Sequence, residues 1–275
     1  MNVFTPNTFQ IANRRLSEKM LISVIDAIRQ DGYAIIENIV NCEDLSQISE
    51  QMDKDSAILM KEKRWGGAGR IRGQLQQGPP LHLPYVVEDV VANPFVIQIT
   101  KSLLGSQAFN GFYSGNTNCP DSQIQPLHRD GPILWTNMSK PHPTASVVVN
   151  ISPGDTNEEN GSIELWPGTH LDTTQELTNI VENLRNDICP PIRGNVKKGG
   201  VLIRDVRLWH RGVTNHTNRP RHMIACVYNI KWLARERKLY YQTGCESVFV
   251  NPDLDHNAVF IDQKIDYLTN PFAHQ

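Results

Sequence analysis

The feature of this sequence that most constrains its fold is a change of hydrophobic periodicity near residue 105. Before this point, apolar residues recur at the three- and four-residue spacing of amphipathic helices. After it, short apolar runs rich in β-branched and aromatic residues alternate with Gly, Pro, Asn and Asp. These runs are AFNGFYSG, TASVVVNI, SIELW, GGVLIRDV and HMIACVYNIKW. The pattern predicts helices packed on a β-barrel or double-sheet core.

The N-terminal segment, about residues 1–105, is predicted to be mainly helical. Three helices are expected there, over 18–30 after the cap Ser17, from the cap Asn41 to about 62, and over about 88–104 before Gly105. YAIIENIV, between the first two helices, is predicted to be a short buried strand. The Gly-, Pro- and Gln-rich segment 64–85 is a long loop, which is unusual in a compact domain and predicts a functional lid.

No composition break divides the chain, so the sequence predicts one domain over residues 1–275. The β core is expected over about 106–235, and the remaining residues, 236–275, are expected to form an extension. No internal repeat or low-complexity segment interrupts this plan.

Composition and charge exclude several classes of partner. The net charge is −2, so there is no general electrostatic attraction to nucleic acid or to an anionic membrane. No run of 18 apolar residues occurs, and the N-terminus lacks the apolar core of a secretory signal. The five cysteines are odd in number and scattered, which is typical of a reducing cytosol and argues against a zinc site built on thiolates. We therefore expect a cytoplasmic protein without a nucleic-acid or membrane partner.

The stretch PLHRDGP, residues 126–132, contains His-Arg-Asp, which is also found in the catalytic loop of protein kinases. A kinase needs an Asn five residues after the Asp, where this chain has Trp135, and it needs Gly-x-Gly-x-x-Gly and Asp-Phe-Gly motifs that are absent here. The kinase interpretation is therefore rejected. His128 and Asp130 fit a metal site instead, because residues two apart in a strand point the same way and offer an imidazole and a carboxylate to one ion.

His-x-Asp is a frequent pattern, and His170-Leu171-Asp172 is a second copy of it. For the first copy, the alternative to a metal site is a turn in which Asp130 bonds the backbone. Two later residues favour the metal: His210 follows the apolar run GGVLIRDV, and Arg221 opens the run HMIACVYNI. Two His and one carboxylate leave three coordination positions open, as in non-haem Fe(II) oxygenases. An inward-facing Arg221 needs a carboxylate partner, either a dicarboxylate cosubstrate or an internal Asp or Glu.

Three segments of the chain carry a family resemblance: PLHRD (126–130), NGSIELWPGTH (160–170) and WHRGVTNHTNRPR (209–221). Together they resemble the phytanoyl-CoA dioxygenase family of Fe(II)/2-oxoglutarate-dependent oxygenases, with similarity from about residue 30 to about 233. The resemblance implies a mainly β fold with some α-helix, a double-stranded β-helix (a cupin-like jelly roll) with N-terminal helices packed outside. It also implies Fe(II) as cofactor, 2-oxoglutarate as cosubstrate, and O2.

The resemblance further implies roles for individual residues. It gives His128, Asp130 and His210 as the iron ligands and places Arg221 on the 5-carboxylate of 2-oxoglutarate. It assigns His170 to a Pro-Gly-Thr-His turn at the substrate rim, outside the metal site.

The chain departs from the family pattern two residues after His210. Relatives often have a Ser there that contacts the cosubstrate, whereas this chain has Gly212. Thr214 or Ser146 is expected to replace that contact, and Asn116 and Gln125 are further candidates for holding 2-oxoglutarate. Four residues are candidates for substrate contact: Arg70, Arg72, Trp135 and Trp166. The alternative for the two arginines is a solvated loop position, and for the two tryptophans it is a place in the core.

Asp130 indicates the type of reaction. Relatives that halogenate have a small residue at this position, so the retained carboxylate predicts hydroxylation, or a related oxidation such as desaturation or epoxidation. We expect the oxidised group to be an unactivated C–H bond of a small molecule, in specialised metabolism. The sequence specifies neither the substrate nor the oligomeric state. Two other interpretations stay open, a jelly-roll binding protein without catalysis and a cupin-type metalloenzyme that needs no cosubstrate.

Overall fold

The computed structural model describes residues 1–135, 137–173, 189–233 and 238–268. The helices of these ranges are α1 (Thr8–Ala12), α2 (Glu18–Asp31), α3 (Cys42–Lys61), α4 (Glu88–Val91) and α5 (Pro94–Leu104). The strands are β1 (Val3–Phe4), β2 (Tyr33–Ile36), β3 (Gln74–Gln76), β4 (Phe109–Asn118), β5 (Ser146–Ile151), β6 (Ile163–Leu165), β7 (Ile192–Gly194), β8 (Val201–Asp205), β9 (His210–Arg211), β10 (Arg221–Asn229), β11 (Leu239–Gln242), β12 (Asp255–His256) and β13 (Ala258–Ile261). The prediction of helices first and strands afterwards is confirmed.

The helix caps explain where α2 and α3 begin. The Ser17 side chain accepts a hydrogen bond from the backbone of Met20, and Asn41 caps α3 in the same way. α2 ends at Gly32, whose φ of 84° lies in the left-handed region. The predicted third helix is broken in two, because Asn93 starts a new cap and Pro94 has no N–H with which to continue α4.

Two sheets form the β core. The larger sheet has the order β1-β2-β8-β5-β10-β4-β12, with β3 also paired to β4, and the smaller sheet has the order β7-β6-β9. Apolar side chains of the two sheets pack together, among them Tyr33 and Leu202 from the larger sheet with Ile163 and Leu165 from the smaller. This arrangement confirms the predicted jelly roll with external helices.

Strand alternation gives the larger sheet two different faces. On β10, Ile224, Cys226 and Tyr228 belong to the main hydrophobic core, which also contains side chains of α2, α3 and α5. The intervening residues of β10, from Met223 to Asn229, line an internal cavity instead. The helices therefore cover one face of the sheet and leave the other face for a binding site.

Two segments differ from the prediction. Segment 64–85 is not a continuous loop, because Gln74–Gln76 pairs with β4 and extends the larger sheet; its role as a lid stays a prediction. The C-terminal extension joins the same sheet through β12, which runs parallel to β4. The single-domain assignment stays a prediction. Within the described ranges, no helix is long and apolar enough to cross a membrane.

Candidate metal centre

His128, Asp130 and His210 meet inside the jelly roll. His128 and His210 form an antiparallel bridge in which each backbone N–H donates to the other residue's carbonyl, at 3.1 and 3.0 Å. The imidazole Nε2 atoms of His128 and His210 lie 3.7 and 3.6 Å from the same oxygen, Asp130 Oδ1. One ligand atom from each of the three residues lies within 4.8 Å of the others, so one metal ion can contact all three.

Backbone carbonyls orient both imidazoles towards this point. The Nδ1–H of His128 donates to the carbonyl of Pro126 at 2.8 Å, and that of His210 donates to Leu208 at 2.9 Å. This tautomer leaves Nε2 of each ring with a free lone pair. A second hydrogen bond of this kind is typical of histidines that bind metals. The fit to a metal ion thus includes ring orientation as well as ligand type.

Arg204 holds the remaining oxygen of the carboxylate. Its Nη2 donates to Asp130 Oδ2 at 2.5 Å, and its Nε donates to Asn150 Oδ1 at 3.3 Å. The guanidinium is buried, with 4% of the side chain exposed. Asp130 therefore presents one oxygen to the histidines while the other is fixed. Sequence reasoning missed Arg204; the signal was an Arg inside the apolar run VLIRDV, which requires a buried anionic partner.

The protonation states suit metal binding. Burial, together with the adjacent Arg204 cation, lowers the pKa of His210 to about 3. Burial also lowers the pKa of His128. Burial acts to raise the pKa of Asp130, but Arg204 and the two histidines outweigh it and hold that pKa well below its usual range. At neutral pH the site offers two neutral imidazoles and one carboxylate, which are the forms that bind metals.

We expect Arg204→Gln to weaken metal binding by about 10- to 100-fold, the usual effect of removing a group that orients a ligand. Asp130 would lose the contact that fixes Oδ2. Titration of the metal-free protein with Co(II), followed by absorption, measures the affinity. Arg204→Lys, which keeps the charge, should recover part of the loss. Unchanged Co(II) affinity in Arg204→Gln would show that the contact does not orient Asp130.

A cavity of about 390 Å³ reaches Asp130 and Arg204 and extends along the inner face of the larger sheet. Of the three metal-site residues, Asp130 lines it, and Met223 and Asn229 mark its extent along β10. The predicted residues Asn116 and Ser146 also line this cavity. The Ser146 hydroxyl donates to Asn229 Oδ1 at 2.7 Å, which places it towards the end of β10 that is remote from Arg221.

Arg221 is the first residue of β10, at the end of the strand opposite to Asn229, and it lies on the same face of β10 as Met223. It is 8% exposed, and its Nη2 donates to the carbonyl of Gly161 at 2.8 Å. Its Nε is buried and has no hydrogen-bond partner. Burial, with Arg193 nearby, lowers its pKa to about 10, so the side chain stays a cation at neutral pH. A buried cation with an unused donor is the arrangement that a cosubstrate carboxylate would complete.

The neighbour of Arg221 points the other way, as strand alternation predicts. His222 Nε2 lies 3.0 Å from Asp53 Oδ1 on α3, and its Nδ1 lies 2.7 Å from the hydroxyl of Thr117. His222 therefore fastens α3 to the outer face of β10 and is not part of the metal site.

Gln125 takes up the space beside Gly212. Its Oε1 accepts from the backbone N–H of Gly212 at 2.8 Å, and its own N–H donates to the Gly212 carbonyl at 2.9 Å. A Cβ at position 212 would lie 2.7 Å from Gln125 Oε1. The Gly at 212 and the Gln at 125 are thus matched in this chain. Thr214 is one of the residues predicted to replace the missing Ser contact. Its backbone lies next to Gly161, whose carbonyl accepts a hydrogen bond from Arg221.

A double-mutant cycle tests this match. Gly212→Ser should displace the Gln125 side chain and break its hydrogen bond, at a cost of about 1 kcal/mol in the free energy of unfolding. Gln125→Ala should cost a similar amount, and the double variant should cost no more than one of them, because both remove the same interaction. Urea denaturation of the four proteins measures the free energies. Additive losses would show that the two residues are independent.

The remaining predicted residues lie outside the cavity lining. Arg70 and Arg72 are exposed, and Arg72 donates to the carbonyl of Asp121 at 3.1 Å. Trp166 is 1% exposed and packs with Leu127 and Trp209, so it is a core residue. Trp135 is 50% exposed and stands beside the cavity, adjacent to the lining residue Leu134.

The second His-x-Asp copy is structural. His170 is 1% exposed, and its Nε2 lies 3.1 Å from the carbonyl of Arg29 on α2. Its Nδ1 lies next to Gly32, where a Cβ would approach it to 2.7 Å. His170 thus supports the end of α2, and the metal cluster does not include it.

Two imidazoles and one carboxylate, facing an open cavity in a jelly roll, define the class of non-haem iron oxygenases. Comparisons with known proteins agree. The model of the phytanoyl-CoA dioxygenase (PhyH) family matches residues 28–223. The chain therefore belongs to the phytanoyl-CoA dioxygenase family. The description of this family agrees with the predicted dioxygenase class, and the three residues of the candidate metal centre fit the predicted Fe(II).

The individual proteins that this chain resembles share 30% or less of its sequence. Dioxygenase af480 of Aspergillus fumigatus is 30% identical over 143 residues, which are 51% of this chain and 43% of that protein, so the chain spans less than half of that relative. The crystal structure of AviO1 from Streptomyces viridochromogenes superposes with a TM-score of 0.57 at 17% identity, over 80% of this chain and 99% of that one. SnoN, a non-heme alpha ketoglutarate dependent epimerase from nogalamycin biosynthesis, superposes with a TM-score of 0.57 at 16% identity. The superposition covers 78% of this chain and 82% of SnoN. These two structures support the fold.

Proposed function

We propose that this chain oxidises an unactivated C–H bond of a small-molecule substrate, using Fe(II) and O2 and converting 2-oxoglutarate to succinate and CO2. Hydroxylation is the default outcome. The observation that carries the proposal is the convergence of His128, Asp130 and His210 on one point beside a cavity that is large enough for a small molecule. Bound Fe(II) would supply the activation of O2, which no side chain of the site can perform.

The protein's own residues would do three things. His128, Asp130 and His210 would hold the metal on one side and leave the opposite side open. Arg204 would keep Asp130 bound through one oxygen, so that the carboxylate does not take a second coordination position. The apolar cavity walls, among them Val148 and Met223, would exclude water from the reacting C–H bond.

The cosubstrate and the substrate would lie towards different ends of β10. We assign 2-oxoglutarate to the side of Arg221, whose buried Nε and positive charge would receive the distal carboxylate. Gln125 and Thr214 lie on segments near that side, and Asn116, opposite Met223, lines the cavity there, whereas Ser146 lines the remote end and is better placed to contact the substrate. This assignment divides the predicted cosubstrate residues into two groups.

Retention of Asp130 supports oxygen transfer over halogenation, because a halide would need the coordination position that the carboxylate takes. The intact triad also weighs against a binding protein that has lost catalysis. In addition, we propose a cytoplasmic location, since all five cysteines are free thiols.

The test is 2-oxoglutarate turnover. The purified protein with Fe(II), ascorbate and 2-oxoglutarate should form succinate only when O2 is present, slowly without primary substrate and faster with it. Anaerobic samples and samples with Zn(II) in place of Fe(II) are the controls. Metal binding without any O2-dependent succinate, across a broad substrate panel, would favour the binding protein. Oxidation of a substrate without 2-oxoglutarate would favour the cosubstrate-independent metalloenzyme.

A further inference from the structure

The charges that line the substrate cavity are all paired. Among the described lining residues, the acidic and basic side chains are Asp130, Arg204 and Arg207. Arg204 is bound to Asp130, and Arg207 is bound to Asp205 at 2.8 Å. His142 also lines the cavity, and burial lowers its pKa, so it is neutral at physiological pH. An anionic group in this cavity would be desolvated without a free cation to receive it, which is costly.

The rest of the lining combines apolar surface with carboxamides. The apolar part includes two aromatic rings, Phe109 and Phe112, as well as Met223. The carboxamides at the cavity wall are those of Gln76, Asn116, Asn150, Asn229 and Asn257. Each carboxamide has both donor and acceptor atoms, which suits carbonyl and hydroxyl groups of a neutral ligand. The cavity volume, about 390 Å³, lies within the range of small-molecule sites.

Two tryptophans stand at the edge of this cavity and are exposed. Trp135 and Trp232 are 50% and 56% exposed, and their ring centroids are 5.7 Å apart. The residues beside them in the chain, Leu134 and Leu233, line the cavity. Trp135 also makes an edge contact with His142, at 5.4 Å between ring centroids. An exposed pair of large aromatic rings next to a cavity marks a surface that binds flat apolar ligands.

We propose that the substrate is an uncharged, ring-bearing small molecule whose body contacts the Trp135–Trp232 pair as it enters. Its rings would lie against the apolar wall, and its oxygen atoms would bond the carboxamides. This inference rests on the proposed function and narrows its substrate class. It argues against acyl-CoA thioesters whose phosphates would have to enter the cavity, because these phosphates would find no unpaired cation among the described lining residues.

Matched pairs of probes test the charge requirement. The protein loaded with Fe(II) and 2-oxoglutarate would be titrated anaerobically, by calorimetry, with dehydroepiandrosterone and its 3-sulfate, anthraquinone and its 2-sulfonate, and decanoyl-CoA. At least one neutral ring compound should bind about tenfold or more tighter than its anionic partner and than decanoyl-CoA. Equal or tighter binding of the anions, or no binding of any neutral ring compound, overturns the inference.

Variants test the place of binding. Trp135→Ala combined with Trp232→Ala should weaken the binding of the neutral probe about tenfold. The affinity for 2-oxoglutarate should stay unchanged. Phe9→Ala, which removes an aromatic ring that is 76% exposed, is the matched control and should change neither. An unchanged probe affinity in the double variant would show that the two tryptophans do not contact the probe. Succinate formation is measured separately, so loss of the proposed function is distinguished from loss of the substrate class.

Discussion

His210→Ala is expected to abolish Fe(II) binding and, with it, O2-dependent succinate formation. The variant removes one of three protein ligands, and it removes the ligand with the lowest exposure of the three. Loss of a direct ligand should reduce metal affinity by more than the 10- to 100-fold that follows from loss of an orienting group. Titration with Fe(II) or Co(II), together with iron content after gel filtration, measures the effect.

His170→Ala is the matched control, because it removes a histidine of similar burial, 1% exposed against 4% for His210, that belongs to the second His-x-Asp copy. His170 contacts the end of α2, so its loss should lower thermal stability but leave the metal content unchanged. If His170→Ala lost the metal and His210→Ala kept it, His170 and not His210 would be the third ligand.

Arg221→Ala should weaken 2-oxoglutarate binding by about 100-fold and leave Fe(II) affinity within twofold. Truncating one side of a buried, hydrogen-bonded charge pair typically costs about 2–5 kcal/mol, and tenfold corresponds to about 1.4 kcal/mol. Arg221→Lys keeps the charge but not the paired donors, and its loss should be intermediate. The affinity is read from the visible absorption of the anaerobic Fe(II)–2-oxoglutarate complex.

Arg219→Ala provides the control for charge alone. Arg219 is two residues away, its side chain is 80% exposed, and its ion pair with Asp53 is on the outer side of the sheet. Its removal should change the 2-oxoglutarate affinity less than twofold, since exposed pairs contribute little. Equal losses in the two variants would mean that Arg221 acts through general electrostatics, and no loss in Arg221→Ala would show that the cosubstrate carboxylate binds elsewhere.

Local signals in the sequence were sufficient for much of the fold. Ser17 and Asn41 begin helices because their side chains accept backbone N–H groups within three residues, an interaction that needs no distant partner. The strands of the core were equally visible, because β-branched runs bounded by turn residues carry their own signal. β3 was missed because its three residues are ordered only by pairing with β4, some 40 residues away.

The same distinction applies to the site. His128 and Asp130 were found because they are two residues apart, and His210 and Arg221 because they flank recognisable strands. Arg204 was missed, since the apolar run around it indicates only that it needs an anionic partner, and that partner, Asp130, is 74 residues away. The contact between Gln125 and Gly212 was missed for a related reason: the sequence suggested a missing side chain at 212, but only the structure shows which residue fills the space.

β10 carries Arg221 at its first residue and Asn229 at its last, on one face of one strand. Eight steps of an extended chain separate them by about 26 Å. The proposed 2-oxoglutarate site is at one end of this strand, and the choice of substrate would depend on the other. A duplicated gene can therefore accumulate changes at Asn229 and acquire a new substrate while the proposed 2-oxoglutarate site stays intact. Directed evolution of this enzyme should begin at the same end.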